Sequence, residues 1–173
     1  RLENGSLVQN APKFVKMDPG AGPRHFEFHP SGKFIYVINE LNSTVTLLAS
    51  ENGIWVKRRN YKTLPDDIDG KSYCADIHIS KDGRFLYGSN RGHNSIVVFS
   101  VNPVSGELKT VGFVPGEGNW PRNFGISPDR EYILVANQRS GNITVIRVNK
   151  QTGLPEFTGK QLQTGSPVCI EFL

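Results

Sequence analysis

Residues 22–48 read GPRHFEFHPSGKFIYVINELNSTVTLL, and two later stretches repeat this pattern without a gap. Residues 73–99 read YCADIHISKDGRFLYGSNRGHNSIVVF, and residues 120–146 read WPRNFGISPDREYILVANQRSGNITVI. The three units begin 51 and 47 residues apart. Each has a polar entry, a short alternating run, a turn, an apolar run that ends on Asn, and a β-branched run. Short alternating runs bounded by turn residues predict β-strands.

The spacing of these units predicts the fold. Segments between the copies have room for a fourth strand, and no apolar pattern of helical period persists along the chain. Four-stranded units of this period are typical of β-propeller blades. The alternative, a β-sandwich, has no reason to repeat its strands in register. We therefore expect an all-β propeller with partial blades at both ends and complete blades at about residues 22–66, 73–115 and 120–162.

Composition excludes several classes of protein. The chain has 173 residues, 37% hydrophobic and 21% charged, with a formal net charge of +4, which excludes disordered, collagen-like and coiled-coil chains. No stretch approaches the ~20 apolar residues that cross a bilayer. The short basic cluster at residues 57–62 alternates as an exposed edge strand does, and Cys74 and Cys169 lack metal-ligand spacing. We expect no nucleic acid, membrane or metal partner.

Polar residues recur at the entry of the first run and the exit of the second run in every unit. In a blade the first strand lines the channel and the second runs antiparallel beside it, so both positions lie at one face. Every copy carries polar residues here, and they differ in charge between copies, as a single asymmetric ligand requires. They are Arg24, His25, Glu40, Asp76, Arg91, Arg122, Asn123, Asn137 and Gln138.

Structural roles compete with this functional interpretation. The Asn that ends each second run, such as Asn137, is commonly a turn former that bonds to its own backbone. Arg24 and Glu40 are also compatible with a structural ion pair, and a blade histidine such as His78 with a purely structural hydrogen bond. Trp120 is suited either to stacking on a substrate or to packing between blades.

The chain resembles the bacterial 6-phosphogluconolactonase and carboxymuconate-cyclase family of seven-bladed propellers, from about residue 5 onwards. The motifs that carry the resemblance are GAGPRHF (20–26), YVINE (36–40), DIHIS (76–80), DGRFLY (82–87), SNRG (89–92) and NWPRNF (119–124). The resemblance implies an enzyme without a cofactor that opens or closes a lactone on a small anionic substrate. It places family site residues at Arg24, Glu40 and Arg91, with a further His in a blade that precedes residue 1.

The resemblance also bears on length, because seven blades close the ring and this chain supplies three complete units. We expect the chain to be the C-terminal half of a longer protein and to fold against the missing N-terminal half. The sequence begins with Arg1 rather than Met. A cytoplasmic location is the expectation, and an exported one is left open.

Three hypotheses about function follow. In lactone hydrolysis, Glu40, His25 or His78 activates water, and Arg24 and Arg91 stabilise the oxyanion or hold the substrate anion. The same site is suited to cycloisomerisation of a muconate-type dicarboxylate, and the third hypothesis is a binding propeller without catalysis. The predicted substrate-binding residues are Asp76, Arg122, Asn123, Asn137 and Gln138.

Overall fold

The computed structural model describes residues 2–68 and 70–172, in which fourteen β-strands and no helix occur. These residues therefore contain no helix that could cross a membrane. Twelve strands form three four-stranded antiparallel sheets and the first two form a hairpin, so the all-β prediction is confirmed. The strands are β1 Leu2–Glu3, β2 Ser6–Leu7, β3 Pro23–Phe28, β4 Phe34–Asn39, β5 Thr44–Glu51, β6 Ile54–Lys62, β7 Tyr73–Ile79, β8 Phe85–Arg91, β9 Ser95–Val101, β10 Leu108–Pro115, β11 Pro121–Ile126, β12 Tyr132–Asn137, β13 Asn142–Val148 and β14 Pro155–Gln163.

Each sheet is one sequence repeat. Strands β3–β6, β7–β10 and β11–β14 lie side by side in chain order within their sheets. The first strands of successive sheets contact each other, since β7 touches both β3 and β11. These first strands therefore form the inner wall and the fourth strands form the outer edges, as in a propeller. The basic cluster of residues 57–62 lies on the outer strand β6, as its alternation predicts.

Neighbouring sheets are joined by contacts that recur with the repeat. The buried hydroxyl of Tyr36 donates to the carbonyl oxygen of Gly106 at 2.9 Å, and Tyr87 donates to Gly153 at 3.0 Å. A Cβ at Gly106, whose φ is +72°, would lie 2.6 Å from the ring of Phe34. Glycine is therefore needed both for the left-handed backbone and for the close approach of the next sheet.

The two ends of the described chain are less regular than predicted. At the N-terminal end, Val15 and Met17 pack against the first sheet without forming a strand. Residues 166–172 read SPVCIEF, which aligns with the start of a further repeat, but they form no strand. They still lie against the third sheet, because the amide of Ile170 donates to Asn123 Oδ1 at 2.7 Å.

Candidate active site

The inner strand of each sheet carries a β-bulge at the same end. On β3, Pro23 pairs with Asn39 and His25 with Ile38, so Arg24 has no partner on β4. On β11, Arg122 is skipped in the same way, and on β7 the register shifts between Cys74 and Ile77. Bulges bend a strand and redirect the side chain of the extra residue, and they are common beside active sites. The bulges thus direct residues of all three blades to one channel mouth.

Contacts between the first two sheets join equivalent positions of the repeats. Four polar contacts each span 51 residues, which is the spacing of the first two repeats: Arg24 with Ala75, His25 with Asp76, Glu27 with His78, and Glu40 with Arg91. The side chains that the sequence aligned in a column therefore meet across the blade boundary.

A carboxylate between two guanidinium groups forms the first half of the site. Arg91 Nη2 donates to Glu40 Oε1 at 2.5 Å, and Arg24 Nε lies 3.6 Å from Glu40 Oε2. Arg91 also donates to the carbonyl of Cys74 at 2.8 Å, and Arg24 to that of Ala75 at 2.5 Å. These bonds hold both guanidinium groups in place, as charge-assisted recognition of an anion requires.

The mouth has an excess of positive charge. Burial lowers the pKa of Arg24, and the charges of Arg91 and Arg122 lower it further, while Glu40 and Asp76 oppose the shift. Because the charges of Arg91 and Arg122 both repel that of Arg24, binding of an anion at the mouth is favoured.

Asp76 is the acceptor at the centre of the second half of the site. Its side chain is 3% exposed, and it accepts from His25 Nδ1 at 2.7 Å and from Asn123 Nδ2 at 2.5 Å. The backbone amide of Phe124 donates to it at 3.2 Å. Burial alone would raise the pKa of Asp76, but hydrogen bonds from His78 and His25 and the charge of His78 lower it to about 2. Asp76 is therefore a carboxylate at neutral pH.

His25 and His78 both contact Asp76 but differ in exposure and partners. The His25 side chain is 45% exposed, and Arg24 Nη1 lies 3.2 Å from its Nε2. Because Asp76 accepts from Nδ1, the lone pair of Nε2 in the neutral tautomer accepts from Arg24 Nη1.

His78 is placed between two carboxylates. Its Nδ1 lies 3.0 Å from Glu27 Oε1 and its Nε2 3.2 Å from Asp76 Oδ2. Burial lowers the pKa of His78, but hydrogen bonds to Asp76 and Glu27 outweigh this effect and raise it to about 9. The imidazole is a cation with both nitrogens donating at neutral pH. This geometry does not suit the general base that the sequence suggested.

The third blade contributes only part of its predicted set. Asn123 reaches Asp76, and Arg122 acts on Arg24 through its charge. Gln138 is half-buried, and its backbone amide donates to the carbonyl of Trp120 at 3.0 Å.

Asn137 corrects the prediction made for it. Its side chain is fully buried, and Nδ2 donates to the carbonyl of Gly116 at 2.9 Å. Asn90 makes the equivalent bond to the carbonyl of Thr63 at 2.7 Å. Each amide therefore anchors the loop that joins the outer strand of the preceding blade to the inner strand of its own blade. It bonds neither to its own turn nor to a substrate. The polarity of the position predicted a role at the mouth, but its burial commits the amide to the backbone.

Two residues near the site were not predicted from the sequence. Glu27 pairs with His78 although it lies in an apolar alternation, and Arg139 lies with its guanidinium carbon 3.3 Å from the ring centre of Trp120. The signal for Glu27 was its alignment with His78 in the repeat. No group of three His, Cys, Asp or Glu side chains suited to a metal ion occurs within residues 2–68 and 70–172.

The three four-stranded sheets define the class of protein as a β-propeller, and comparison with known proteins gives its family. The family described as "Lactonase, 7-bladed beta-propeller" matches residues 1–172, and the chain belongs to this family.

Individual relatives agree with this assignment. The chain is 38% identical over 175 residues to a 6-phosphogluconolactonase of Bacillus subtilis (strain 168), covering 100% of this chain and 50% of that protein. It is 49% identical over 142 residues to a 6-phosphogluconolactonase of Formosa agariphila, covering 80% and 40%. Among solved structures, the periplasmic gluconolactonase PpgL of Pseudomonas aeruginosa superimposes with a TM-score of 0.90 at 38% identity, covering 94% and 46%. The chain thus spans about half the length of the curated relatives it matches.

Proposed function

We propose that this chain is one sector of a lactonase that hydrolyses an anionic sugar lactone. The observation that carries the proposal is the pairing of the Arg24–Glu40–Arg91 cluster with the His25–Asp76 pair across one blade boundary. The relatives named above as lactonases support the same reaction.

The inner strand of the first blade has an exposed apolar face. Phe26 and Phe28, on the inner strand β3, are 58% and 53% exposed, and no sheet covers that side of the first blade among the described residues. An exposed aromatic pair on a strand is typical of an interface. We infer that further blades from outside this chain cover it and close a ring, called the complete ring below.

His25 is the general base in this mechanism. Asp76 accepts from Nδ1 and holds the neutral imidazole in the tautomer whose Nε2 faces the mouth, as the carboxylate does in a catalytic triad. Nε2 takes a proton from water as the water oxygen attacks the lactone carbonyl carbon. The tetrahedral intermediate then collapses, the ester C–O bond breaks, and the leaving ring oxygen takes the proton back from His25.

The arginines stabilise the negative charge that develops on the carbonyl oxygen. When the lactone binds, Arg24 turns from His25 Nε2 to the carbonyl oxygen, which frees Nε2 for water, and it donates to that oxygen as it becomes an oxyanion. Glu40 and Arg91 are positioning residues, because Glu40 holds Arg24 on one side and Arg91 on the other. Glu40 is thereby committed to two cations, which makes it a poorer base than His25.

The proposal is tested by substrate turnover of the complete ring. We expect turnover of sugar lactones, with Arg24→Ala lowering kcat about 10²- to 10³-fold and His25→Ala about 10²- to 10⁴-fold. Arg147→Ala is the matched control, because this exposed arginine lies at the opposite end of β13 from the mouth. Unchanged turnover in both site variants would refute the assignment.

Cycloisomerisation is the second candidate, and Arg24 with the two arginines that repel it favours this reaction because several guanidinium groups suit two carboxylates. Loss of the absorbance of a conjugated diene on mixing a muconate with the complete ring distinguishes it from hydrolysis. A protein that turns over neither substrate class but retains the fold would instead be a binding propeller.

A further inference from the structure

Trp120 has a backbone conformation that favours glycine. Its φ is +69°, and Gly22, which occupies the same position of the first repeat, has a φ of +66°. A bulky residue in this left-handed region is a true outlier. Asn94 Oδ1 of the second blade accepts from the amide of Trp120 at 2.9 Å and helps to hold this conformation. Strained backbone that the surrounding structure maintains is concentrated at functional sites, so the contacts of the indole are informative.

The indole ring contacts one arginine of its own blade and one of the second blade. The guanidinium carbon of Arg139 lies 3.3 Å from the ring centre, and that of Arg91 lies 5.5 Å from it. The contact with Arg139 has a counterpart in the first repeat, where a Cβ at Gly22 would lie 2.6 Å from the side chain of Leu41. It is therefore packing within a blade. The contact with Arg91 crosses the blade boundary and reaches the candidate active site.

Hydrogen bonds alone constrain the guanidinium group of Arg91 weakly. Its hydrogen bonds to Glu40 and to the carbonyl of Cys74 both come from Nη2, and the buried Nε has no hydrogen-bond partner among the described residues. Two bonds from one nitrogen fix the plane of the group less well than a bidentate fork does. The face of Trp120 supplies the missing support, because a cation within about 6 Å of an indole centre is attracted to the ring.

We propose that Trp120 is a positioning residue of the active site, which holds Arg91 against Glu40 and, through Glu40, sets the position of Arg24. This inference rests on the proposed function. Arg91 Nη2 lies 2.5 Å from Glu40 Oε1, and Arg24 Nε lies 3.6 Å from Glu40 Oε2. A displaced Arg91 therefore moves the carboxylate that holds Arg24. Because Arg24 donates to the oxyanion in the transition state, the loss is expected in kcat rather than in KM.

Lactone turnover by the complete ring tests this role. We expect Trp120→Leu, which removes the aromatic face, to lower kcat about 10- to 100-fold with little change in KM. Trp120→Phe keeps an aromatic face and should retain kcat within about threefold. Arg139→Ala is the matched control, because it removes the packing contact and leaves that with Arg91, so kcat should not change. Wild-type kcat in Trp120→Leu, or an equal loss in Trp120→Phe, overturns the inference.

A double-mutant cycle separates positioning from a general loss of structure. Arg91→Ala removes the group through which Trp120 acts. Adding Trp120→Leu to Arg91→Ala should therefore lower kcat by less than about twofold more. A structural role would lower kcat by the same factor in both backgrounds, and that result overturns the inference.

Hydrogen exchange at the buried Arg91 Nε–H tests positioning without a substrate. Its NMR signal in the complete ring is assigned by its loss in Arg91→Ala. We expect exchange at least about tenfold faster in Trp120→Leu and an intermediate rate in Trp120→Phe, which remains the comparison if Trp120→Leu does not fold. Equal exchange in wild type and these variants overturns the inference whether or not a lactone is turned over. Exchange that depends on Trp120, without turnover by the wild type, overturns the proposed reaction alone.

Discussion

The ion-paired imidazole of His78 contributes to the free energy of unfolding, and raising the pH should remove this contribution. Its two nitrogens face Asp76 and Glu27, and its pKa is raised from 6.5 to about 9. Such a shift is worth about 3 kcal/mol at ~1.36 kcal/mol for each tenfold change in proton affinity. Because 32% of the side chain is exposed and solvent screens the pair, we expect about 2 kcal/mol.

The sign of the pH dependence follows from the direction of the shift. The folded protein binds the His78 proton more tightly than the unfolded chain does. The contribution is therefore fully present below pH 6.5 and is lost as the pH rises through about 9. The variant His78→Gln keeps a polar side chain but lacks the charge, so it should lose stability at pH 6 and little at pH 10.

Urea unfolding of the complete ring at pH 6 and pH 10 measures the effect. The difference in unfolding free energy between wild type and His78→Gln should shrink by about 2 kcal/mol between these values. Other titrating groups are common to both proteins and cancel. His93→Gln is the control, since His93 bonds to the hydroxyl of Ser95 rather than to a carboxylate. A difference that is independent of pH, or an imidazole of His78 that titrates near pH 6.5 by NMR, would refute the reasoning.

Three further substitutions test the site and the packing. Asp76→Asn removes the charge that orients the catalytic imidazole, and lactone turnover should fall about 10²- to 10⁴-fold; wild-type turnover in a folded variant contradicts this role. Gly106→Ala places a Cβ 2.6 Å from the ring of Phe34, whereas Gly32→Ala, also left-handed, meets nothing within 4 Å, so thermal unfolding should show about 1 to 3 kcal/mol greater loss for Gly106→Ala. Arg130→Gly relieves a φ of +63° and should raise unfolding free energy by about 1 kcal/mol; a lower melting temperature would oppose it.

The repeat alignment was sufficient for the fold because its signal is local. Alternating runs and turn residues specify strands within a few residues, and their recurrence specifies sheets that stack. The same alignment brought Arg24, His25, Glu40, Asp76 and Arg91 to one mouth, where the structure places them. Arg130 stands where the first two repeats have Gly32 and Gly83, and the structure shows that it retains the left-handed turn.

Side-chain contacts between blades could not be predicted from the sequence, because they depend on how one sheet packs on the next. Glu27 and His78 occupy the same position of successive repeats, but the alignment alone does not show that their side chains meet, and without that contact His78 looks like an ordinary base. Asn137 looked accessible because polar residues usually are, but the buried carbonyl of Gly116 needed a donor.

The sequence by itself determined the propeller, the repeat positions and the set of charged residues around the channel, since these follow from local periodicity. The tertiary structure decided that His78 lies between two carboxylates whereas His25 meets Asp76 and Arg24, which arginines Glu40 holds, and that Arg139 stacks on Trp120. These outcomes depend on distances across blade boundaries of about 3 Å, where electrostatic interactions and hydrogen bonds change steeply.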